Sequence, residues 1–362
     1  MVKKLEKGGK VYYQCEECGY YYDTEGLAKE CENWCKEHKA CNSEIIKQSI
    51  GKEEINYQIF SYNIQQLLIG VLLGGVLVFL FFNFKLSNSP TTSNLSQPSN
   101  QQTNFNQELY QQIINQVLPS EGFKTRLVLG DVVKKMVDCG VIDLEKMQKL
   151  YNGQIPEYLQ KLINGYYEPL VIDQETANYL LNIFWPLGLS NKTEFNKNIP
   201  FSEKDLPNLA STGGWWLGKK DNGAEYFNKC EIIKLTPEQE EIVYEVAQNT
   251  FRPCCDNSTF AQDCNHGSAL LGALELAVSQ GYSKDELYKL ALQLNSFWFP
   301  QNYIKIAVYL KLVENIDWQN VDPKEIMSAK YSSISGYLQN VEQKLAKLNL
   351  PQFQIRGGGC GL

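Results

Sequence analysis

Between Ile55 and Phe84 no side chain carries a formal charge, and residues 64–82 read IQQLLIGVLLGGVLVFLFF. A run of that length and polarity suits a helix crossing about 30 Å of hydrocarbon. Buried helices of soluble proteins seldom stay apolar on every side for so long. The expectation is one transmembrane helix over residues 60–84, uncleaved because a long segment with its own motif precedes it. Lys47 and Lys52 stand on its N-terminal side and Lys85 alone on the other, so the bias of cationic loops towards the cytoplasm puts the N-terminus inside. The chain is thus expected at a cell membrane, single-pass, with the lipid bilayer as a partner and an extracytoplasmic C-terminal domain. Four segments follow: residues 1–50, the span 60–84, a linker 85–107 and a domain 108–362. The linker, SNSPTTSNLSQPSNQQTNFNQ over 87–107, holds almost nothing that can enter a core and reads as a flexible polar stalk.

The cysteines are unevenly spread. Of eleven, five fall within residues 15–41 together with His38, and Cys254, Cys255 and Cys264 gather near His266, the other of only two histidines. Residues 13–35, YQCEECGYYYDTEGLAKECENWC, carry the spacing C-x2-C-x12-C-x3-C through Cys15, Cys18, Cys31 and Cys35. A C-x2-C turn offers two thiolates to one ion. Cys31 and Cys35, four apart on the helix GLAKECENWCKEH, offer two more from one face. Four thiolates suit tetrahedral zinc, and a segment this small needs such a staple because its own core is slight. His38 and Cys41 continue the same face and are alternates for the fourth ligand. A disulfide pairing is the competing reading and needs an oxidising compartment.

The same residues resemble the ββα zinc finger with cysteine at both histidine positions, although Ala28 stands where that family usually keeps a leucine. The resemblance covers about 25 residues of this chain and implies a ββα-like module on a structural zinc. DNA binding does not follow. There is one finger, Glu16, Glu17, Asp23, Glu25, Glu30 and Glu32 would repel phosphates, and the whole chain has a formal charge of -7. No nucleic-acid partner is expected; a protein partner docking on the N-terminal module fits better.

Beyond residue 105 the patterning is helical, and the predicted fold class is mainly α. LTPEQEEIVYEVAQNTF has Thr236 as N-cap, Pro237 at the first helical position and Gln239 closing a capping box. Ser283 with Glu286, and Asp322 with Pro323, repeat the device. RLVLGDVVKKMVDCGVIDLEKMQKLY and DQETANYLLNIFWPLGL also keep helical apolar spacing. Residues 190–235 read as irregular, with Trp215 and Trp216 as packing residues.

RPCCDNSTFAQDCNHG, residues 252–267, concentrates the remaining chemistry. Pro253 stops one helix, and the next starts near Cys264 with Asp263 or Asn265 as cap. Small residues Gly267, Ser268, Ala269, Gly272 and Ala273 allow that helix to approach a neighbour closely. Three readings compete for Cys254, Cys255, Cys264, His266 and Cys360. They can hold a metal, the soft thiolates and imidazole suiting zinc or Cu(I). Or Cys254, Cys255, Cys264 and Cys360 are staples of a disulfide framework or a redox relay, in which Cys139 and Cys230 also take part, and His266 is a polar cap residue. Or Cys264 is a nucleophile at a helix start with His266 as base, a weak candidacy because side chains two apart diverge there. No phosphate loop, nucleophile elbow or zinc-protease motif occurs, so nothing demands an enzyme. The functional expectation is metal or thiol handling or sensing by the C-terminal cluster. Its alternatives are a thiol oxidoreductase or cysteine-dependent enzyme docked through the zinc module, and a disulfide-stabilised interaction domain.

Overall fold

The computed structural model describes residues 2–7, 10–16, 20–38, 45, 107–215, 217–348 and 350. The protein is mainly helical, with a small sheet at its N-terminus. The expected crossing at 60–84, nearly all of the linker, Trp216 and Cys360 lie outside the described residues. Among the described residues no helix is long and apolar enough to cross a membrane. The longest have 15 residues and reach about 22 Å, short of the roughly 30 Å required. The assignment to a cell membrane as a single-pass protein, with cytoplasmic N-terminus and extracytoplasmic C-terminal domain, is accordingly corrected and not carried further.

The chain divides into two compact units, Met1–Asn104 and Phe105–Leu362. In the first, β1 (Lys3–Lys7) pairs antiparallel with β2 (Lys10–Gln14), and β2 pairs antiparallel with β3 (Tyr21–Tyr22). Helix α1 (Glu25–His38) follows, the Thr24 hydroxyl accepting from the Leu27 amide at its start. A strand therefore precedes the two strands and helix that the spacing implies. The buried cluster is Cys15, Tyr22, Ala28, Cys31, Cys35 and Ile45. Ala28 is fully buried and Leu27 packs beside it. With half of the cluster cysteine, apolar burial alone is a weak support for this unit.

The second unit is built around two helices, α6 (Ala177–Ser190) and α8 (Asn265–Ser279). Before them come α2 (Gln107–Val117), α3 (Val132–Cys139), α4 (Leu144–Leu150) and α5 (Glu157–Ile163). Between α6 and α8 lies α7 (Pro237–Gln248), and after them α9 (Lys284–Trp298) and α10 (Pro300–Tyr309). A methyl group on Gly188 of α6 would stand 2.0 Å from the Ser268 carbonyl oxygen, and one on Gly272 of α8 would stand 2.4 Å from that of Phe184. The two backbones meet at glycine, as the small residues of α8 require. Every side chain of α8 from His266 to Val278 is buried, including Glu275.

Both capping boxes form: Thr236 with Gln239 on α7 and Ser283 with Glu286 on α9. Asp322 caps the helix Pro323–Met327. The segment after it is broken rather than continuous. Ser328 and Ser333 are extended, the Ser333 hydroxyl accepts from the Gly336 amide, and the helical path breaks at these two serines before it resumes over residues 334–346. Serine competes for the backbone there, and a new cap wins over helix continuation. Residues 190–235 are irregular, as their composition implies, with the buried Trp215 ring edge-on to Trp185 at 5.1 Å. A disulfide joins Cys139, at the end of α3, to Cys230 in this segment, 91 residues away.

Candidate functional site

Two groups of thiols stand out, one in each unit. In the first unit Cys15, Cys31 and Cys35 have their sulfurs all within 4.8 Å of one another and are buried. Cys15 leaves β2 into a tight turn whose amide donates to the Tyr20 carbonyl at 3.0 Å, and the helix supplies Cys31 and Cys35 with sulfurs 3.9 Å apart. Strand, turn and helix thus bring together three of the four ligands inferred from spacing. Cys18 and Cys41, with the side chain of His38, lie outside the described residues.

In the second unit Cys254, Cys255 and Cys264 form an equivalent triad, half-buried, with their sulfurs within 4.8 Å of one another. Helix α7 ends at Gln248, and the chain turns through Pro253 and a short 3-10 segment, Thr259–Ala261. Gln262 then adopts a left-handed conformation at φ 52°, and the chain enters α8. Cys264 is itself the N-cap of α8, its sulfur accepting from the Gly267 amide at 3.4 Å. The expected caps are corrected here. Asp263 is held by the Arg252 guanidinium and by Asn257 Nδ2 at 2.9 Å, and Asn265 is already inside the helix.

Arg252 organises the triad. It is fully buried, and its Nε donates to Cys264 Sγ at 3.1 Å, its Nη1 to the Asn257 carbonyl at 2.8 Å and its Nη2 to Asp263. Gly267 makes room for the guanidinium, since a methyl group there would sit 2.8 Å from it. Burial alone would pull the Arg252 pKa down, but the Cys264, Cys255 and Asp263 charges more than offset it and the group stays cationic. Cys264 is held well below the usual thiol range by hydrogen bonds from Cys254 and Cys255, then by the Arg252 charge and His266. The Cys255 thiol is pushed up: a lowering hydrogen bond with Cys254 is outweighed by the hydrogen bond and charge of Cys264 and by burial.

Cys254 Sγ lies 3.6 Å from Cys264 Sγ, and all three residues are thiols. Among the described residues the one bridge is Cys139–Cys230, between two of the cysteines that the disulfide-framework reading enlists, a pairing for which local sequence offers no signal. His266 is 4 % exposed, its ring 4.5 Å from that of Phe299 and 5.9 Å from that of Trp298. It is a packed helix-start residue next to Cys264 and stands outside the mutually close ligand atoms. Cys360 lies outside the described residues. Sequence reasoning missed Arg252, although a signal existed: the chain has only three arginines, and one stands two residues before Cys254.

No protein-family model matches this chain, and no curated protein or solved structure matches it either.

Proposed function

We propose that the helical unit binds a thiophilic cation through Cys254, Cys255 and Cys264, and that the N-terminal module is a ββα-like fold on a structural zinc held by Cys15, Cys18, Cys31 and Cys35. The carrying observation is sulfur spacing. Thiolates of a tetrahedral zinc centre, with Zn–S bonds of about 2.3 Å, stand about 3.8 Å apart. The measured separations of 3.9 Å for Cys31–Cys35 and 3.6 Å for Cys254–Cys264 lie on either side of that value. A disulfide needs about 2.05 Å, the arrangement adopted only by Cys139–Cys230 among the described residues. Arg252 supports the reading for the second site. Its N–H donated to Cys264 Sγ fixes and charge-balances a ligand in the way outer partners of metal sites do. Zinc and Cu(I) both suit such soft donors.

The test is metal content of the full chain purified under reducing conditions. About two thiophilic ions per chain are expected, falling to about one in Cys254→Ser/Cys264→Ser. An unchanged content in that variant would refute the second site. A thiol–disulfide exchange role is the second reading, favoured by the partial exposure of Cys254 and Cys264 and the charge-stabilised thiolate of Cys264. It requires metal-free protein in which oxidised glutathione converts exactly this pair, and not Cys255, to a disulfide that dithiothreitol reverses.

A further inference from the structure

Resting on the metal reading above, we propose that the Cys254–Cys255–Cys264 centre is an exchange site, which passes its thiophilic cation to incoming thiolate ligands, whereas the N-terminal centre keeps its ion. Three observations converge. The first is access. Cys15 and Cys31 are fully buried and Cys35 is 6 % exposed, while all three cysteines of the second centre are half-buried. Ligand substitution at a thiolate centre proceeds by attack from outside, so a ligand shell open to solvent is the one an incoming sulfur reaches.

The second observation is unequal anchoring within the triad. Cys264 Sγ receives the Arg252 Nε donor at 3.1 Å and the Gly267 amide at 3.4 Å, at the start of a helix buried on all sides. Cys255 Sγ instead lies among oxygens, 3.9 Å from the Asn257 carbonyl and 3.9 Å from Asp263 Oδ1. Donors hold an electron-rich ligand sulfur in place and oxygen acceptors do not. Cys264 is therefore the retained ligand and Cys255 the displaced one. The third is ligand number. Each cluster shows three mutually close donors among the described residues; the C-x2-C spacing supplies Cys18 as a fourth at the first, whereas the second has no such spacing partner, and sites that keep a position for an external ligand are the ones that react.

The step is a substitution without redox change. An incoming thiolate places an electron pair on the ion at the fourth position. The bond to Cys255 Sγ breaks, its electron pair stays on sulfur, and the freed thiolate takes a proton from water. Repetition at Cys254 and finally Cys264 moves the ion to the acceptor, and the oxidation state of every sulfur is unchanged.

The full chain, loaded with zinc, is mixed with excess glutathione and a chromogenic zinc chelator, and release is followed by absorbance. Two phases are expected, the fast one at least about tenfold faster, which corresponds to ~1.4 kcal/mol in barrier, and first-order in glutathione. Cys255→Ser should speed the fast phase further, and Cys264→Ser should remove it. Cys31→Ser should remove the slow phase instead. Release of two zinc ions in one phase, or a fast phase indifferent to glutathione, overturns the exchange role while leaving metal binding intact. A single zinc per chain that survives both Cys264→Ser and Cys255→Ser overturns the metal reading and this inference with it.

Discussion

The two cysteine clusters present the same side chains at nearly the same sulfur spacing, yet they stand on different kinds of support. Around Cys15, Cys31 and Cys35 the unit offers a short three-stranded sheet, one helix and a buried cluster of six residues, three of which are the cysteines. Around Cys254, Cys255 and Cys264 it offers a loop clamped between α7 and α8, a buried arginine, and a large apolar core in which α6 and α8 meet at Gly188 and Gly272. In the first cluster the cysteines are half of the buried core. In the second the core exists without them and positions them. On the proposed reading an ion at the first would hold a fold together and one at the second would be free to react.

The largest expected effect tests the first half of that contrast. Removing metal with a chelator, or Cys31→Ser, should unfold residues 2–38, because binding and folding free energy are one quantity in so small a module, on the order of 10 kcal/mol for structural zinc. Amide signals of the helical unit should stay dispersed after chelation, with changes confined to the segment around Cys254, Cys255 and Cys264, and their general collapse would erase the distinction. Next comes Arg252→Met. It leaves Asp263 without its guanidinium partner and Cys264 with the Gly267 amide as its remaining backbone donor, and should lower helical-unit stability by about 3–5 kcal/mol in urea unfolding. A loss below about 1 kcal/mol would mean that the loop is held by something other than this buried cation.

The smallest effect concerns the scaffold under the second centre. Glu275 is fully buried on α8, with Asn191 Nδ2 3.1 Å from its Oε2. Burial raises its pKa well above the ordinary carboxyl value, outweighing the Asn191 hydrogen bond, and the Glu240 charge adds to the rise. The native state thus keeps a proton that the unfolded chain releases above about pH 4.3. The stability from this group is complete below that pH and declines as pH rises towards the folded pKa. Glu275→Gln should therefore raise the urea midpoint at pH 7 and leave it unchanged near pH 4. Equal midpoints at both values would show that the carboxyl is not held protonated.

Local chemistry was legible in the sequence where the partners are neighbours along the chain. Thr236 with Gln239, and Ser283 with Glu286, close their boxes across three residues. Cys31 and Cys35 share a helix face, and the small residues of α8 announce a close crossing. Asp322 starts its helix as its spacing with Pro323 implies, and Ser328 and Ser333 then interrupt the helical path where their residues turn extended. The apolar run at 64–82 told of hydrophobicity alone.

By itself, then, the sequence determined that the chain is mainly helical, where several helices start, and that two groups of cysteines exist. Tertiary structure alone decided that Cys139 bonds to Cys230 across 91 residues and that a fully buried Arg252 lies against the Cys264 sulfur. The physical reason is range. Capping and helix periodicity act within one or two turns, where spacing is readable. A disulfide partner or a buried cation is chosen by how distant segments pack, and no local pattern encodes that distance.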